Sequence, residues 1–220
     1  MRHCVIACET LRDELLHAMR LAQRHYEVFW IPSGLHSTPL KLKARLQEAL
    51  DNLAGFDRVL LCFGTCGNSI LGLKLGAFEI ILPRVDDCIT LLLGSCSRRK
   101  KINEEHAAYY LTEGWLRGER NLWAEYQHCI DTYGTKAAES VAEELFGNYR
   151  SLALLDTGIS SVEDLVESTR IISETFKLKQ IVIPTSNEYL AELLTGPWPQ
   201  DRFIVKAPHS TICHSDLRTE

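Results

Sequence analysis

Three of the eight cysteines lie just after apolar runs that predict buried strands, namely Cys8, Cys66 and Cys88. The other five fall within predicted strands, in a helix or in polar segments. In a parallel α/β sheet, the carboxyl ends of the strands share one edge, and such folds bind their ligands there. The three thiols are therefore expected to point into one crevice.

Thiolates are soft ligands that suit zinc, copper(I) or iron–sulfur clusters. Cys8 and Cys88 also precede predicted helices, whose N-termini favour the thiolate form. Three thiolates leave one position open on a tetrahedral zinc, or one open iron on a [4Fe–4S] cluster. The sequence thus predicts a metal site made of Cys8, Cys66 and Cys88. The alternative is that each thiol simply packs, since free cysteine is among the most buried residue types.

Two further side chains are candidates for catalytic roles. His36 lies in another predicted strand-to-helix loop, where it would serve as a fourth ligand or as an acid/base group. Arg84 lies close to Cys88 in the sequence, and its guanidinium could hold a substrate carboxylate or phosphate through two hydrogen bonds. The alternatives are a hydrogen-bonded loop histidine and a surface ion pair.

The turn that contains Cys66 offers backbone N–H groups for an anion or a cofactor. Its candidate binding residues are Gly64, Gly67 and Asn68. The turn lacks the GxGxxG pattern and the P-loop lysine, so it does not indicate a nucleotide site.

Composition narrows the class of protein. The chain has 220 residues, of which 45% are hydrophobic and 24% charged, with a formal net charge of −5. This balance argues against a nucleic-acid partner. No secretory signal and no membrane-spanning apolar run is apparent, so a cytoplasmic protein is expected. In a reducing compartment, eight cysteines favour metal or redox use over structural disulfides.

Apolar strands alternate with amphipathic helices through the first half of the chain, which predicts parallel strands with right-handed crossovers. A short helix is expected over Ser69–Leu75, directly after the Cys66 turn. The rhythm weakens after Gly94 and resumes at Ser151. The sequence therefore predicts a single α/β domain over 1–220. It would have a mostly parallel, doubly wound (Rossmann-like) sheet flanked by helices, with a helical insertion at about 95–150.

Several of these segments occur together in a known combination: GTCGN at 64–68, PRVDDCITLLLG at 83–94 and YYLTEGW at 109–115. The chain resembles the family called domain of unknown function 1638, an uncharacterised family common in anaerobic microbes. The resemblance matches Cys8, Cys66 and Cys88 to the family's cysteines and His36 to its histidine. It also implies a link to corrinoid-dependent methyl transfer, near which such proteins are often met.

Together, the residues and the resemblance favour a metal-dependent enzyme with a [4Fe–4S] cluster whose open iron binds or activates a small-molecule substrate. One alternative is a zinc-thiolate site that activates a thiol for methyl transfer. Another is an accessory protein that partners a corrinoid protein or methyltransferase. A third is a metal-free enzyme with Cys66 as nucleophile and His36 as base. Neither a nucleic acid nor a membrane is expected as a partner, and a homo-oligomer is compatible with the sequence.

Overall fold

A computed structural model describes residues 1–35, 38–118 and 121–217. The chain forms two compact units, one from Met1–Cys96 with Ser186–Glu220 and the other from Ser97–Thr185. The first unit contains a five-stranded, mostly parallel sheet, and the second contains a three-stranded parallel sheet. Helices flank both sheets, so the predicted α/β fold with a mostly parallel sheet is confirmed.

The first unit alternates strands and helices along the chain. Its strands are β1 (His3–Cys8), β2 (Glu27–Ile31), β3 (Arg58–Cys62), β4 (Glu79–Pro83) and β8 (Phe203–Lys206). Its α-helices are α1 (Arg12–Leu21), α2 (Pro39–Asp51), α3 (Cys88–Leu93), α10 (Glu188–Thr195) and α11 (His214–Leu217), and short 3-10 helices cover Glu9–Leu11 and Ser33–Leu35.

The strand order in this sheet is β2-β1-β3-β4-β8. The first four strands are mutually parallel, and β8 pairs antiparallel with β4 at one edge. Consecutive parallel strands bring their carboxyl ends to the same edge, so the segments after β1, β3 and β4 are neighbours. These are the three segments that carry the candidate cysteines.

The central strands β1, β3 and β4 are buried on both faces, as the strands of parallel sheets usually are. On one face, the alternate β1 residues Cys4, Ile6 and Cys8 belong to a cluster with three leucines of α2 at four-residue spacing: Leu42, Leu46 and Leu50. On the other face, α10 packs against α1, β3 and β4. Because side chains alternate along a strand, successive β1 residues serve the two layers in turn.

The helix predicted over Ser69–Leu75 is wrong, because this segment forms successive turns. Its backbone bonds instead to the C-terminal segment: Gly72 N donates to Ile212 O at 2.8 Å, and Leu75 N donates to Ser210 O at 2.9 Å. Those donors are not available for a helix, and Gly72 has φ +76°, which no right-handed helix accommodates. The crossover from β3 to β4 therefore lacks a helix.

The second unit contains three strands, β5 (Ala108–Leu111), β6 (Ser151–Asp156) and β7 (Lys179–Pro184). Its helices are α4 (Cys96–His106), α5 (Glu113–Leu116), α6 (Leu122–Tyr133), α7 (Thr135–Phe146), α8 (Val162–Ser168) and α9 (Arg170–Phe176). The sequence predicts a helical insertion over about 95–150. That range also contains strand β5, which pairs in parallel with β6. Four residues are too few for strand alternation to be evident in the sequence.

The same valine-to-alanine substitution at a buried and at an exposed position of this sheet tests the core of the first unit. Val59 in β3 is fully buried, whereas Val205 in β8 is 42% exposed. We expect Val59→Ala to lower the free energy of unfolding by about 2–3 kcal/mol, because two buried methyl groups are lost and a cavity remains. Val205→Ala should cost less than about 1 kcal/mol. Urea denaturation measures both, and equal costs would contradict the layer assignment.

Candidate functional site

Three neighbouring strands deliver the three candidate cysteines to the carboxyl edge of the five-stranded sheet. Cys8 is the last residue of β1, Cys66 lies in the turn after β3, and Cys88 is the first residue of α3, which follows β4. Cys8 is fully buried, Cys88 is 3% exposed, and Cys66 is half-buried. The thiols therefore lie inside the edge rather than on its surface.

The segments after β3 and β4 are joined backbone to backbone. Thr65 N donates to Val85 O at 2.9 Å, and Cys66 N donates to Asp86 O at 2.8 Å. At Gly64 the approach is so close that a Cβ atom would lie 2.4 Å from the backbone nitrogen of Asp87. The Cys66 turn and the start of α3 can therefore meet only because position 64 has no side chain.

The backbone around Cys66 is left-handed over three successive residues. The φ angles are +43° at Cys66, +67° at Gly67 and +67° at Asn68. Gly67 adopts this conformation freely and asparagine tolerates it, but a cysteine does so at a cost of about 1–2 kcal/mol. Such local strain concentrates at functional sites, and here it falls on a candidate ligand.

The Thr10 side chain connects two of the thiols. Its Oγ1 donates a hydrogen bond to the Sγ of Cys8 at 3.0 Å, and the same side chain is a hydrogen-bond partner of the Cys88 thiol. Thr10 is itself only 2% exposed. Thr10 therefore partly offsets the rise in the thiol pKa of both Cys8 and Cys88.

The pKa values of all three thiols are raised, chiefly by burial. The pKa of Cys66 rises to about 12 through burial and then through the charges of Asp87 and Cys8. The pKa of Cys88 is raised well above its usual range by burial, then by Cys8, Cys66 and Asp87. Burial also raises the pKa of Cys8. The thiols lie close enough to affect one another, and the charges that act on them are negative.

Two further residues belong to this neighbourhood and were not singled out as site residues from the sequence. Cys62, at the end of β3, is fully buried, and burial raises its thiol pKa, followed by the charges of Cys8, Glu14 and Cys66. Glu14 is only 2% exposed. Its position gave a usable signal, because Glu14 shares the buried stripe of α1 with Leu15, Ala18 and Met19.

Asp87 and Arg84 stabilise the segments on either side of Cys88. Asp87 caps α3, because its Oδ1 accepts from Thr90 N at 2.9 Å. The Arg84 guanidinium donates from Nε to Gln200 O and from Nη1 to Asp216 O, both at 2.6 Å. The structure thus places Arg84 on the C-terminal segment, and its role in orienting a substrate stays a prediction.

The remaining candidates lie at the rim. Gly67 and Asn68 are exposed, and a Cβ at Gly67 would lie 3.3 Å from Pro39, the first residue of α2. That Gly67 and Asn68 contact a cofactor stays a prediction. His36 lies outside the described residues. Within residues 1–35, 38–118 and 121–217, no three or more His, Cys, Asp or Glu side chains are arranged to hold a metal ion.

Fold and site together define an α/β protein with buried thiols at the carboxyl edge of a parallel sheet. The chain belongs to the family described as protein of unknown function (DUF1638), whose model matches residues 30–194. This confirms the resemblance seen in the sequence. The matched range includes Cys66 and Cys88 and begins after Cys8. No curated protein and no solved structure matches the chain.

The contact at Gly64 leads to a prediction. We expect Gly64→Ala to lower the free energy of unfolding by about 3 kcal/mol, because the added Cβ meets backbone atoms that only a loop displacement can move. Gly94→Ala is the matched control. Gly94 has φ +84° but nothing within 4 Å of the added Cβ, so only about 1 kcal/mol of backbone strain is expected. Urea denaturation compares them, and similar costs would contradict the close approach.

The burial pattern of the thiols predicts their reactivity. Cys96 and Cys213 are exposed, whereas Cys8 and Cys88 are buried. After treatment with a chelator, the native protein should react with iodoacetamide rapidly at the two exposed thiols. Cys8 and Cys88 should react only on unfolding, because alkylation requires an accessible thiolate. Peptide mass spectrometry locates the adducts, and early modification of Cys88 in folded protein would show that the thiols are not enclosed.

Proposed function

We propose that the protein is a metal-dependent enzyme in which Cys8, Cys66 and Cys88 bind a [4Fe–4S] cluster with one open iron. The observation that carries this proposal is the convergence of three thiols from three adjacent strand ends. Neighbouring thiols contribute to the raised pKa values of Cys66 and Cys88, and the Thr10 hydroxyl donates to the Sγ of Cys8 at 3.0 Å. Soft, negatively charged sulfur ligands suit iron–sulfur clusters and zinc.

The charges around the thiols support a metal over a metal-free nucleophile. With a thiol pKa of about 12, Cys66 is protonated at neutral pH when no cation is bound. The charges that raise it belong to Asp87 and Cys8, so they oppose a bare thiolate. A bound metal cation supplies the missing positive charge and deprotonates coordinating thiols. These charges count against the alternative with Cys66 as nucleophile and His36 as base.

The donor chemistry fits such a centre, although the described side chains are not held in a ready metal-binding arrangement. Cys66 is the half-buried member of the set, and its turn is strained, so it is the thiol with most room to adjust. A cluster with an open iron would supply a Lewis acid for a substrate oxygen or nitrogen atom. Gly67 and Asn68 lie exposed beside it, where a small molecule would arrive.

The chain's own residues would have distinct parts in this site. Thr10 would orient the Cys8 sulfur through its hydrogen bond, as outer partners of metal ligands do. Asp87 would hold Cys88 at the start of α3 by capping that helix. His36 is proposed as an acid/base group or fourth ligand, and Arg84 as a group that orients the substrate.

The setting proposed for this enzyme is the cytoplasm, where thiols stay reduced. No helix among the described residues is long and apolar enough to cross a membrane. The proposed substrate is a small molecule, and a corrinoid protein or methyltransferase is the proposed partner. A zinc ion that activates a substrate thiol is the competing occupant of the same three ligands.

The proposal predicts metal content. Protein made and purified without oxygen should be brown and carry about four irons per chain. Cys66→Ser and Cys88→Ser should each lose most of the iron, because a serine oxygen is a hard donor. Cys96→Ser and Cys213→Ser, at exposed positions, are the matched controls and should retain it.

Elemental analysis together with the visible spectrum distinguishes the outcomes. About one zinc per chain in a colourless protein, lost in Cys66→Ser, would replace the cluster by the zinc site. Wild-type protein with only trace iron and zinc, whose metal content Cys66→Ser leaves unchanged, would reject the metal centre altogether.

A further inference from the structure

A cleft of about 430 Å³ opens at the opposite, amino edge of the five-stranded sheet. We call it the amino-edge cleft, and its principal lining residues are His3, Arg24, His25, Tyr26, Arg58 and Trp198. His3 begins β1 and Arg58 begins β3. The volume lies within the ~300–1,000 Å³ range of small-molecule sites.

The charge of this cleft has one sign. Among the described residues that line it, two are arginines and two are histidines, and none is acidic. Two carboxylates that interact with the lining residues already have partners: Asp57 accepts from Arg2 N at 2.6 Å, and Glu79 is paired with Arg58. A concave surface with converging cationic donors concentrates anions.

Arg58 is held in place and still has a donor to offer. Glu79 binds its Nε and Nη2 atoms at 2.6 Å, and the Trp198 ring centroid lies 4.5 Å from its Cζ. Within the described residues, Nη1 of Arg58 makes no hydrogen bond. Glu79 fixes one edge of this guanidinium and Trp198 covers one face, while Nη1 can still donate. The group is therefore preorganised to bind an anion.

The turn that carries Arg24 and His25 is fixed by the end of α1. Gln23 adopts φ +51°, Gln23 N donates to Arg20 O, and Arg24 N donates to Met19 O at 2.9 Å. This pattern is a Schellman motif, which ends a helix with a left-handed residue. It sets the direction in which the Arg24 side chain leaves the backbone.

Cationic side chains often lie near helix C-termini, where they complement the helix dipole. Such a structural role could by itself account for the arginines in this cleft. At this edge, the end of α10 already has neutral donors: Tyr26 Oη bonds Leu194 O at 3.1 Å, and Trp198 Nε1 bonds Leu193 O at 3.0 Å. At the end of α1, the backbone N–H groups of the Schellman motif donate to the helix carbonyls. The helix carbonyls therefore do not require the arginine side chains as partners.

We infer that the amino-edge cleft binds a small phosphorylated ligand, whose oxygen atoms accept hydrogen bonds from Arg24, Arg58 Nη1 and His25. Guanidinium groups that approach from separate elements suit the several oxygens of a phosphate better than the two of a single carboxylate. The cleft also exceeds the size of one phosphate group, so an organic part fits beside Tyr26. Burial, then the charges of Arg58, the N-terminal amino group and Arg24, lower the pKa of His3 against an opposing effect of Asp57, which agrees with a positive potential there.

The test uses inorganic pyrophosphate, titrated into the full chain at constant ionic strength and followed by calorimetry and by the imidazole NMR resonances of His3 and His25. Wild-type protein should bind saturably. Arg24→Gln should weaken binding about tenfold, the effect of one charge-assisted hydrogen bond. Arg20→Gln is the matched control, since Arg20 is an exposed arginine on α1 outside the cleft, and it should change binding less than about twofold.

Three results would overturn the inference. The first is wild-type protein that gives neither heat nor histidine shifts with pyrophosphate. The second is equal weakening by Arg24→Gln and Arg20→Gln, which would indicate a diffuse charge effect instead of a site. The third is citrate binding as tightly as pyrophosphate, which would reject the phosphate class. None of the variants touches the cysteines, so the outcome is independent of the metal proposal.

Discussion

The close contact between the backbone at Gly64 and the backbone at Asp87 is the constraint on which the thiol site depends. Parallel strands β3 and β4 bring their ends near each other, but pairing of the strands does not decide how the following loops meet. The hydrogen bonds from Thr65 and Cys66 to the β4 loop join them, and they bring Gly64 so near the backbone of Asp87 that an added Cβ atom would collide with it. Cys66 and Cys88 are neighbours because of this contact.

Burial then determines the chemistry of the site. A thiol that is enclosed beside other thiols and a carboxylate stays protonated, which the raised pKa values of Cys66 and Cys88 express. Such surroundings disfavour an isolated anion. They would favour thiolates only if a cation entered with them, so any metal binding would be linked to deprotonation. The same physics disfavours the metal-free nucleophile.

Much of the fold was predictable because long apolar runs and helical stripes carry clear periods. The strands β1 to β4 and the positions of Cys8, Cys66 and Cys88 after them followed from such runs. The turns at 69–75 were not predictable, because their partners lie at Ser210 and Ile212, far along the chain. Strand β5 was missed because four residues show no period.

The positions of the three cysteines after their strands were predictable, but the residues that surround them were not. The position of Cys62 within a strand predicts that its side chain diverges from that of Cys66, yet the charges of Cys8 and Cys66 contribute to the raised pKa of its thiol. Glu14 could have been found from its place in the buried stripe of α1. The preference of Arg84 for the carbonyls of Gln200 and Asp216 could not, since it depends on where the C-terminal segment returns.

The central strands relate the two edges of the first unit. β1 begins with His3 in the amino-edge cleft and ends with Cys8 among the thiols, a separation of about 17 Å at ~3.3 Å per residue. β3 likewise begins with Arg58 and ends with Cys62. Over this distance a unit charge contributes only about 1 kcal/mol at an effective dielectric constant of about 20. The cationic edge therefore cannot neutralise the thiols, and any positive charge that stabilises thiolates has to enter at the carboxyl edge itself.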